Sequence, residues 1–339
     1  MTLRLALELP YPEAQNRQDM IELARAAEAN GFDSIWASEL YSYDAFTTLT
    51  HLACHTSTIK LGTNIANIYA RTPALLAGTA ASLDQLSDGR FILGIGVSGP
   101  QVVEGWHGVP YDTPLKRTSE TIDILRTVMA GGRLNYEGEV FNVTMGLKLI
   151  NKGQRPDIPI YVAAIGPKNI ELTAEKADGL LPTFFAASHA DEIFKPHVDA
   201  GLRKAGKDPE DFAVMPLVNA FVGDVKDGIN ACKMLAGFYI GGMGSKKKNF
   251  YNDLMKRYGY EELAEKIRDT FLGGDKQTAI EMVPDDLVDD MSLIGDEARL
   301  RDRMKAFEAA GATGVVVVPW AADAQGRTTV LETLARANS

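Results

Sequence analysis

The feature that most constrains this chain is an alternation. Short β-rich runs at residues 3–9, 34–38, 59–65, 91–96, 158–163, 179–183, 213–222 and 314–318 are separated throughout by longer, often amphipathic segments. Parallel strands need crossovers long enough to hold a helix, so this pattern predicts βα units around a parallel sheet. Val315 to Val318 is an unbroken β-branched run, as a strand covered on both faces requires. Helices are expected at 18–30, 45–55, 73–86, 114–129 and 297–310, with Pro73 and Pro114 where a first turn tolerates proline. The phrases Ala29-Asn30-Gly31-Phe32-Asp33 and Ala309-Ala310-Gly311-Ala312-Thr313 read as equivalent corners, each capping a helix and turning into a strand. Eight such units without a linker-like break predict α/β architecture, a single (β/α)8 TIM barrel over residues 1–339.

Two stretches interrupt the alternation. Residues 134–152 read as a small hairpin inserted before the fifth strand. Residues 237–292, with Gly241-Gly242, Lys246-Lys247-Lys248 and Pro284-Asp285-Asp286, read as an irregular helical excursion. On a barrel, such insertions gather at the C-terminal face and shape access to the mouth. A net charge of −10 lacks the clustered positive charge of a nucleic-acid surface. No window approaches the roughly 18 apolar residues of a membrane span, and the first residues read as a strand rather than a signal peptide. Cys54 and Cys232 are too few for a disulfide framework, which favours the cytoplasm. His51 and His55 stand four residues apart but lack the glutamate of a zinc-helix motif, so no metal is expected.

Barrel chemistry sits at the C-terminal ends of strands. The first strand ends at Glu8-Leu9-Pro10, where an acid pointing into the mouth is desolvated and suited to proton donation. The plain alternative is a structural carboxylate paired to an arginine such as Arg71. The second strand ends at Ser38-Glu39, a second carboxylate on the same rim, followed by Asp44 as a helix N-cap. The fourth runs into Gly96-Val97-Ser98-Gly99-Pro100, where glycines let the backbone approach a ligand, although tight turns use them too. The fifth leads to Ala164-Ile165-Gly166-Pro167-Lys168, a helix start whose N–H groups and lysine suit the phosphate of a cofactor; a proline-initiated helix without a ligand is the alternative. His107, on the loop after the fourth strand, is a substrate-side candidate.

Ala29-Asn30-Gly31-Phe32-Asp33-Ser34-Ile35-Trp36, Lys60-Leu61-Gly62-Thr63-Asn64-Ile65, Arg71-Thr72-Pro73-Ala74, Asp88-Gly89-Arg90-Phe91-Ile92-Leu93-Gly94-Ile95-Gly96 and Asp178-Gly179 together resemble the bacterial luciferase-like superfamily of flavin and deazaflavin oxidoreductases, over essentially the whole chain. Within it, the stretch from Val97 to Trp106 is similar to a mycobacterial-type subgroup of the coenzyme F420 branch. Glu8, Ile165-Gly166-Pro167-Lys168 and Ala309-Ala310-Gly311 are similar to methylenetetrahydromethanopterin reductases.

The resemblance implies roles. Asn64-Ile65 would be a non-prolyl cis peptide in a bulge of strand three, backing the deazaflavin's central ring. Ser38 and Glu39, then Val97, Ser98 and Gly99, would line the cofactor, and Ala164, Ile165, Gly166, Pro167 and Lys168 would hold its phosphate. Glu8 would protonate a pterin nitrogen, generating an iminium that accepts the hydride. One departure stands out. Relatives often carry Asp-His after strand two, where this chain has Glu39-Leu40; alcohol oxidation that relies on that histidine loses its support. The expectation is an F420-dependent oxidoreductase acting on a small substrate, with a methylene-tetrahydropterin the most specific guess, and a homodimer because relatives are dimers. An FMN-dependent luciferase-like monooxygenase is the first alternative, disfavoured because the Ile165-Gly166-Pro167 loop lacks hydroxyl residues. A non-catalytic cofactor-binding accessory subunit is the second. Lys246-Lys247-Lys248 would meet a polyglutamate tail or be a solvated loop tip.

Overall fold

Each of the eight expected runs contributes a strand to one sheet. The computed structural model describes residues 3–10, 16–151, 153–244 and 249–339, so the lysine run 246–248 lies outside the described residues. The strands are β1 (Arg4–Glu8), β2 (Ser34–Ala37), β3 (Lys60–Thr63), β4 (Phe91–Gly96), β5 (Ile160–Val162), β6 (Gly179–Leu180), β7 (Ala213–Val214 continuing as Leu217–Val222), β8 (Ser292–Gly295) and β9 (Gly314–Pro319). All these strands pair in parallel. Leu217 closes the ring, pairing with Thr183 on one side and Val316 on the other.

The strands alternate between two cores, as the period of two demands. One face of each strand packs outward against the helices, where Leu7, Ile35, Leu61, Leu93 and Val317 join the main cluster. The other face fills the barrel with Ala6, Trp36, Ile92, Tyr161, Leu181, Met215 and Val316. Trp36 stacks on Tyr161 across this interior, with ring centroids 5.8 Å apart. Glycine makes room for the indole: a Cβ on Gly62 would sit 2.4 Å from it. The same parity carries Glu8, Ser38 and Asn64, two residues beyond Ala6, Trp36 and Gly62, inward at the top of the barrel.

The first insertion is the expected hairpin, and the second is more regular than the sequence suggests. Residues 134–152 contain an antiparallel hairpin, Leu134–Glu137 against Asn142–Leu147. The second insertion is not irregular where it begins: Gly241 and Gly242 belong to the helix Val225–Gly242, and Cβ atoms there would collide with Phe271 at 2.6 and 2.5 Å. Those glycines let the helix Glu261–Leu272 pack close. The excursion also ends in a strand rather than a loop, because β8 pairs Asn219 with Ser292 through Val222 with Gly295. Cys54 caps the helix Ala45–Ala53 and is exposed.

Candidate active site

The inward parity of β1, β2 and β3 brings three sequence candidates together. The Glu8 side chain is almost sealed from water, at 4% exposure. Ser38 Oγ lies 2.5 Å from Glu8 Oε1 and Asn64 Nδ2 donates to Oε2 at 3.0 Å. Burial pushes the Glu8 pKa up to about 7, against the pull of those two hydrogen bonds. Arg71, the cation the sequence offered as a structural partner for Glu8, is engaged elsewhere, so no cation neutralises this carboxyl among the described residues. Ser38 Oγ also lies 2.9 Å from the Asn64 carbonyl. A hydroxyl has one proton. Facing a carboxylate, Ser38 donates to Glu8; facing the carboxylic acid, it can accept from Glu8 and donate to Asn64. The site therefore has a hydrogen-bonded arrangement for both protonation states.

Asn64 belongs to a bulge. β3 pairs Gly62 with Ile92, and Ala66 then pairs with Ile95, so four steps on one strand span three on its neighbour. The Asn64–Ile65 peptide inside this bulge is cis, at the position the resemblance implies. Ile65 packs against Gly96, where a Cβ would come within 2.8 Å of its side chain. The end of β3 and the end of β4 thus meet at the mouth.

Glu39 stands on the same rim in another setting. Its Oε2 accepts from an Arg71 guanidinium nitrogen and from the Asn67 N–H at 3.1 Å, while Arg71 also pairs with Asp44. Asp44 caps its helix by accepting from the Thr47 N–H at 2.6 Å.

Two loops present bare backbone. After β4, Val97, Ser98 and Gly99 are half-buried, and Ser98 has φ +54°, a left-handed turn that non-glycine residues rarely take. A Cβ on Gly99 would meet only Gln101, at 4.0 Å. After β5, Ala164 is buried and Ile165 half-buried; Gly166 caps the helix Pro167–Lys176 without a side-chain hydrogen bond, and a Cβ there would meet nothing within 4 Å. Lys168 is exposed beside it. Open space at a helix start, with a lysine alongside, fits a phosphate-bearing cofactor. His107 is half-buried after the helix Pro100–Gly105, its Nε2 buried without a partner. No hydrogen bond joins it to Glu8, Ser38 or Asn64 among the described residues.

Sequence reasoning missed the roof. Tyr239, from the helix Val225–Gly242, feels the charge of Glu8 and of Tyr41; burial first, then those charges, push its phenol up to about 12. It packs edge-on against Tyr251 at 4.7 Å and tilted against Phe184 at 5.4 Å. Phe184 itself has φ +53°, unusual for a bulky residue, and its carbonyl accepts from Tyr258 Oη at 2.6 Å. Gln101 Nε2 donates to the Gly242 carbonyl at 3.3 Å, tying the β4 loop to this helix. Tyr41 stacks edgewise on Trp106, both well exposed. The isolated strand ends carry no sequence signal for this cover, since it comes from an insertion far along the chain.

Comparison with known proteins bears on the family and the fold. The family model described as luciferase-like monooxygenase matches residues 4–314. A Mycobacterium tuberculosis protein provisionally named a coenzyme F420-dependent oxidoreductase is 39% identical, covering 95% of this chain and 96% of its own. The 5,10-methylenetetrahydromethanopterin reductase of Archaeoglobus fulgidus is 34% identical, over 86% of each chain. Among solved structures, the coenzyme F420-dependent tetrahydromethanopterin reductase of Methanopyrus kandleri superposes with a TM-score of 0.83 at 26% identity, covering 99% of this chain and 98% of its own.

Proposed function

The chain belongs to the luciferase-like family, and from that premise we propose that it is an F420-dependent oxidoreductase that transfers a hydride between the deazaflavin and a small substrate, with a methylene-tetrahydropterin as the substrate class. The observation that carries this reading is Glu8: a carboxyl inside the barrel mouth, without a cation, raised to about 7 and held by Ser38 and Asn64. An acid with that pKa is still substantially protonated near neutral pH and is well matched to donate there.

F420 supplies the hydride when bound. Asn64-Ile65, Val97, Ser98 and Gly99 would flank its ring, Ser38 and Glu39 would close the rim, and Ala164 to Lys168 would hold its phosphate. Glu8 gives its proton to a nitrogen of the bridging methylene group. The C–N bond opens, leaving an iminium carbon that accepts the hydride and becomes a methyl. Ser38 and Asn64 then hold the carboxylate until it is reprotonated. Tyr239 and Phe184 cover the mouth and limit water, and His107 is assigned to the substrate side.

We place the protein in the cytoplasm, consistent with two unpaired cysteines; among the described residues no helix is long and apolar enough to cross a membrane. We also read it as a homodimer. The helix Pro73–Leu86 leaves Leu75 and Leu86 59% and 66% exposed, and its only charged residue, Asp84, is buried. A second copy covers such a face economically.

Fluorescence titration against F420 and FMN in parallel tests the function. Tight F420 binding with weak FMN binding is the expected result, followed by turnover of a methylene-tetrahydropterin. Preference for FMN would move the protein to oxygen-activating chemistry.

A further inference from the structure

Three segments from separate parts of the chain meet in a collar around Glu8. Tyr41, in the loop after β2, packs edge-on against Trp106, which ends the helix Pro100–Gly105 after β4; their ring centroids are 6.4 Å apart, with the planes at 60°. β2 and β4 flank β3, so this contact spans the strand end that carries Asn64–Ile65. The first turn of the same helix reaches the second insertion, where Gln101 Nε2 donates to the Gly242 carbonyl. Tyr239 lies one turn before Gly242 in the helix Val225–Gly242, and its phenol feels the charge of Tyr41 and of Glu8 together. Tyr41, Trp106 and Tyr239 thus border one opening, with Glu8 beneath it.

Tyr239 is packed against Phe184 and Tyr251, but Tyr41 and Trp106 keep much of their rings in water, at 55% and 65% exposure. A single exposed aromatic residue is ordinary; two in contact, from different strand ends, make an apolar platform with open ring surface. Such rings receive another planar ring, offset or edge-on. The proposed reaction supplies one. The methylene group of the substrate bridges two nitrogens, one in the pterin bicycle and one bearing an aryl ring. With Glu8 protonating the aryl-bearing nitrogen, that ring hangs from the very atom that takes the proton. It cannot turn down into the barrel, which Trp36, Ile92, Tyr161 and Leu181 fill. Its way out runs through the collar.

We propose that Tyr41 and Trp106 form the seat for the aryl ring of the substrate's arm. This rests on the methylene-tetrahydropterin reading above and deepens it: Glu8 sets the chemistry, and the aromatic pair sets which pterins the site accepts. The seat holds a part of the substrate that does not react. It selects against pterins without the arm and against small carbonyl compounds, neither of which has a ring to place there.

The test uses the whole protein loaded with F420 and two ligands, titrated by calorimetry: methyl-tetrahydrofolate, which carries the aryl arm, and a methyl-tetrahydropterin that ends before it. Trp106→Ala and Tyr41→Ala are each expected to weaken the armed ligand about 5- to 50-fold, the loss of one stacking partner, and to leave the armless one within about twofold. Wild type should itself prefer the armed ligand by at least that factor. Trp106→Phe, which keeps a ring, should recover most of the loss. In turnover the alanine variants should raise KM and leave kcat within about threefold, because the pair touches no reacting atom. Unchanged F420 affinity shows that the variants are folded. If Trp106→Ala weakens both ligands by one factor, the pair only shapes the mouth, and if it weakens neither, the arm lies elsewhere; either result overturns the seat, while binding of the armed ligand by wild type leaves the parent reading standing. Wild-type protein that binds F420 but neither pterin overturns the methylene-tetrahydropterin reading, and the seat falls with it.

Discussion

Glu8 and Glu39 stand at the ends of adjacent strands, both nearly sealed from water, at 4% and 8% exposure. Glu8 meets a hydroxyl and an amide, both neutral donors. Glu39 meets the Arg71 guanidinium, which in turn reaches Asp44, and a backbone N–H. Glu8 lies level with Trp36 of β2 and Glu39 three residues beyond it, and the same side chain meets two different sets of partners. Without a cation, burial dominates at Glu8 and its proton stays exchangeable near neutrality. With a full counter-charge, Glu39 is tied into a brace between β2, the bulge after β3 and the helix Ala45–Ala53. Function follows the partner set and not the residue type.

The largest expected effect breaks the comparison from the Glu8 side. Glu8→Gln preserves shape and loses the proton, so kcat in the reducing direction should fall about 10²- to 10⁴-fold, while the dissociation constant for F420 stays within about twofold. Steady-state kinetics and a fluorescence titration measure both. The wild-type rate should decline as pH rises through about 7, because the donor form of an acid with that raised pKa is lost there, and the residual rate of the variant should not follow that curve. Turnover unaffected by Glu8→Gln would point to a different proton donor.

Breaking the other side should cost stability. Arg71→Met leaves Glu39 buried without its cation, and chemical denaturation should register a loss of about 3 kcal/mol. Adding Glu39→Gln should recover part of that loss, since the two effects couple through one contact. The pH midpoint for turnover should not move. A midpoint shifted by a full unit would mean that the two carboxylates communicate, and that the separation drawn between them is false.

Much of this was legible in the sequence because it depends on local patterns. Eight strands buried on both faces leave apolar runs, and Glu8 could be placed inward by counting two residues from Ala6. The helix starts at Pro73 and Asp44 carry their own chemistry. What could not be read is which rim residues meet. Arg71 has Glu8, Glu39 and Asp44 as possible partners, and only the packed bulge after β3 decides for the last two. β8 escaped notice because four residues, Ser292 to Gly295, follow an acidic helix and pair with the far end of β7. Tyr239 was invisible for a related reason: helical periodicity tells which face of a helix is buried, and says nothing about which strand ends lie beneath it.

The smallest effect sharpens the comparison most. Ser38 has one proton and two acceptors, Glu8 Oε1 at 2.5 Å and the Asn64 carbonyl at 2.9 Å. The shorter contact is the one that gains from charge, so Ser38 should favour the carboxylate form and hold the Glu8 pKa below the value that burial alone would set. Removing it with Ser38→Ala should raise the midpoint of the pH–rate curve by about half a unit to one unit, the equivalent of one hydrogen bond of about 1 kcal/mol. F420 affinity measured on the same samples separates this from any contact that Ser38 makes to the cofactor. A downward shift would show that the hydroxyl spends its proton on Asn64 and accepts from the protonated acid, which makes Ser38 a stabiliser of the donor form. In that case the neutral partners around Glu8 would favour its protonated form, while Arg71 serves Glu39 as an ion-pair partner.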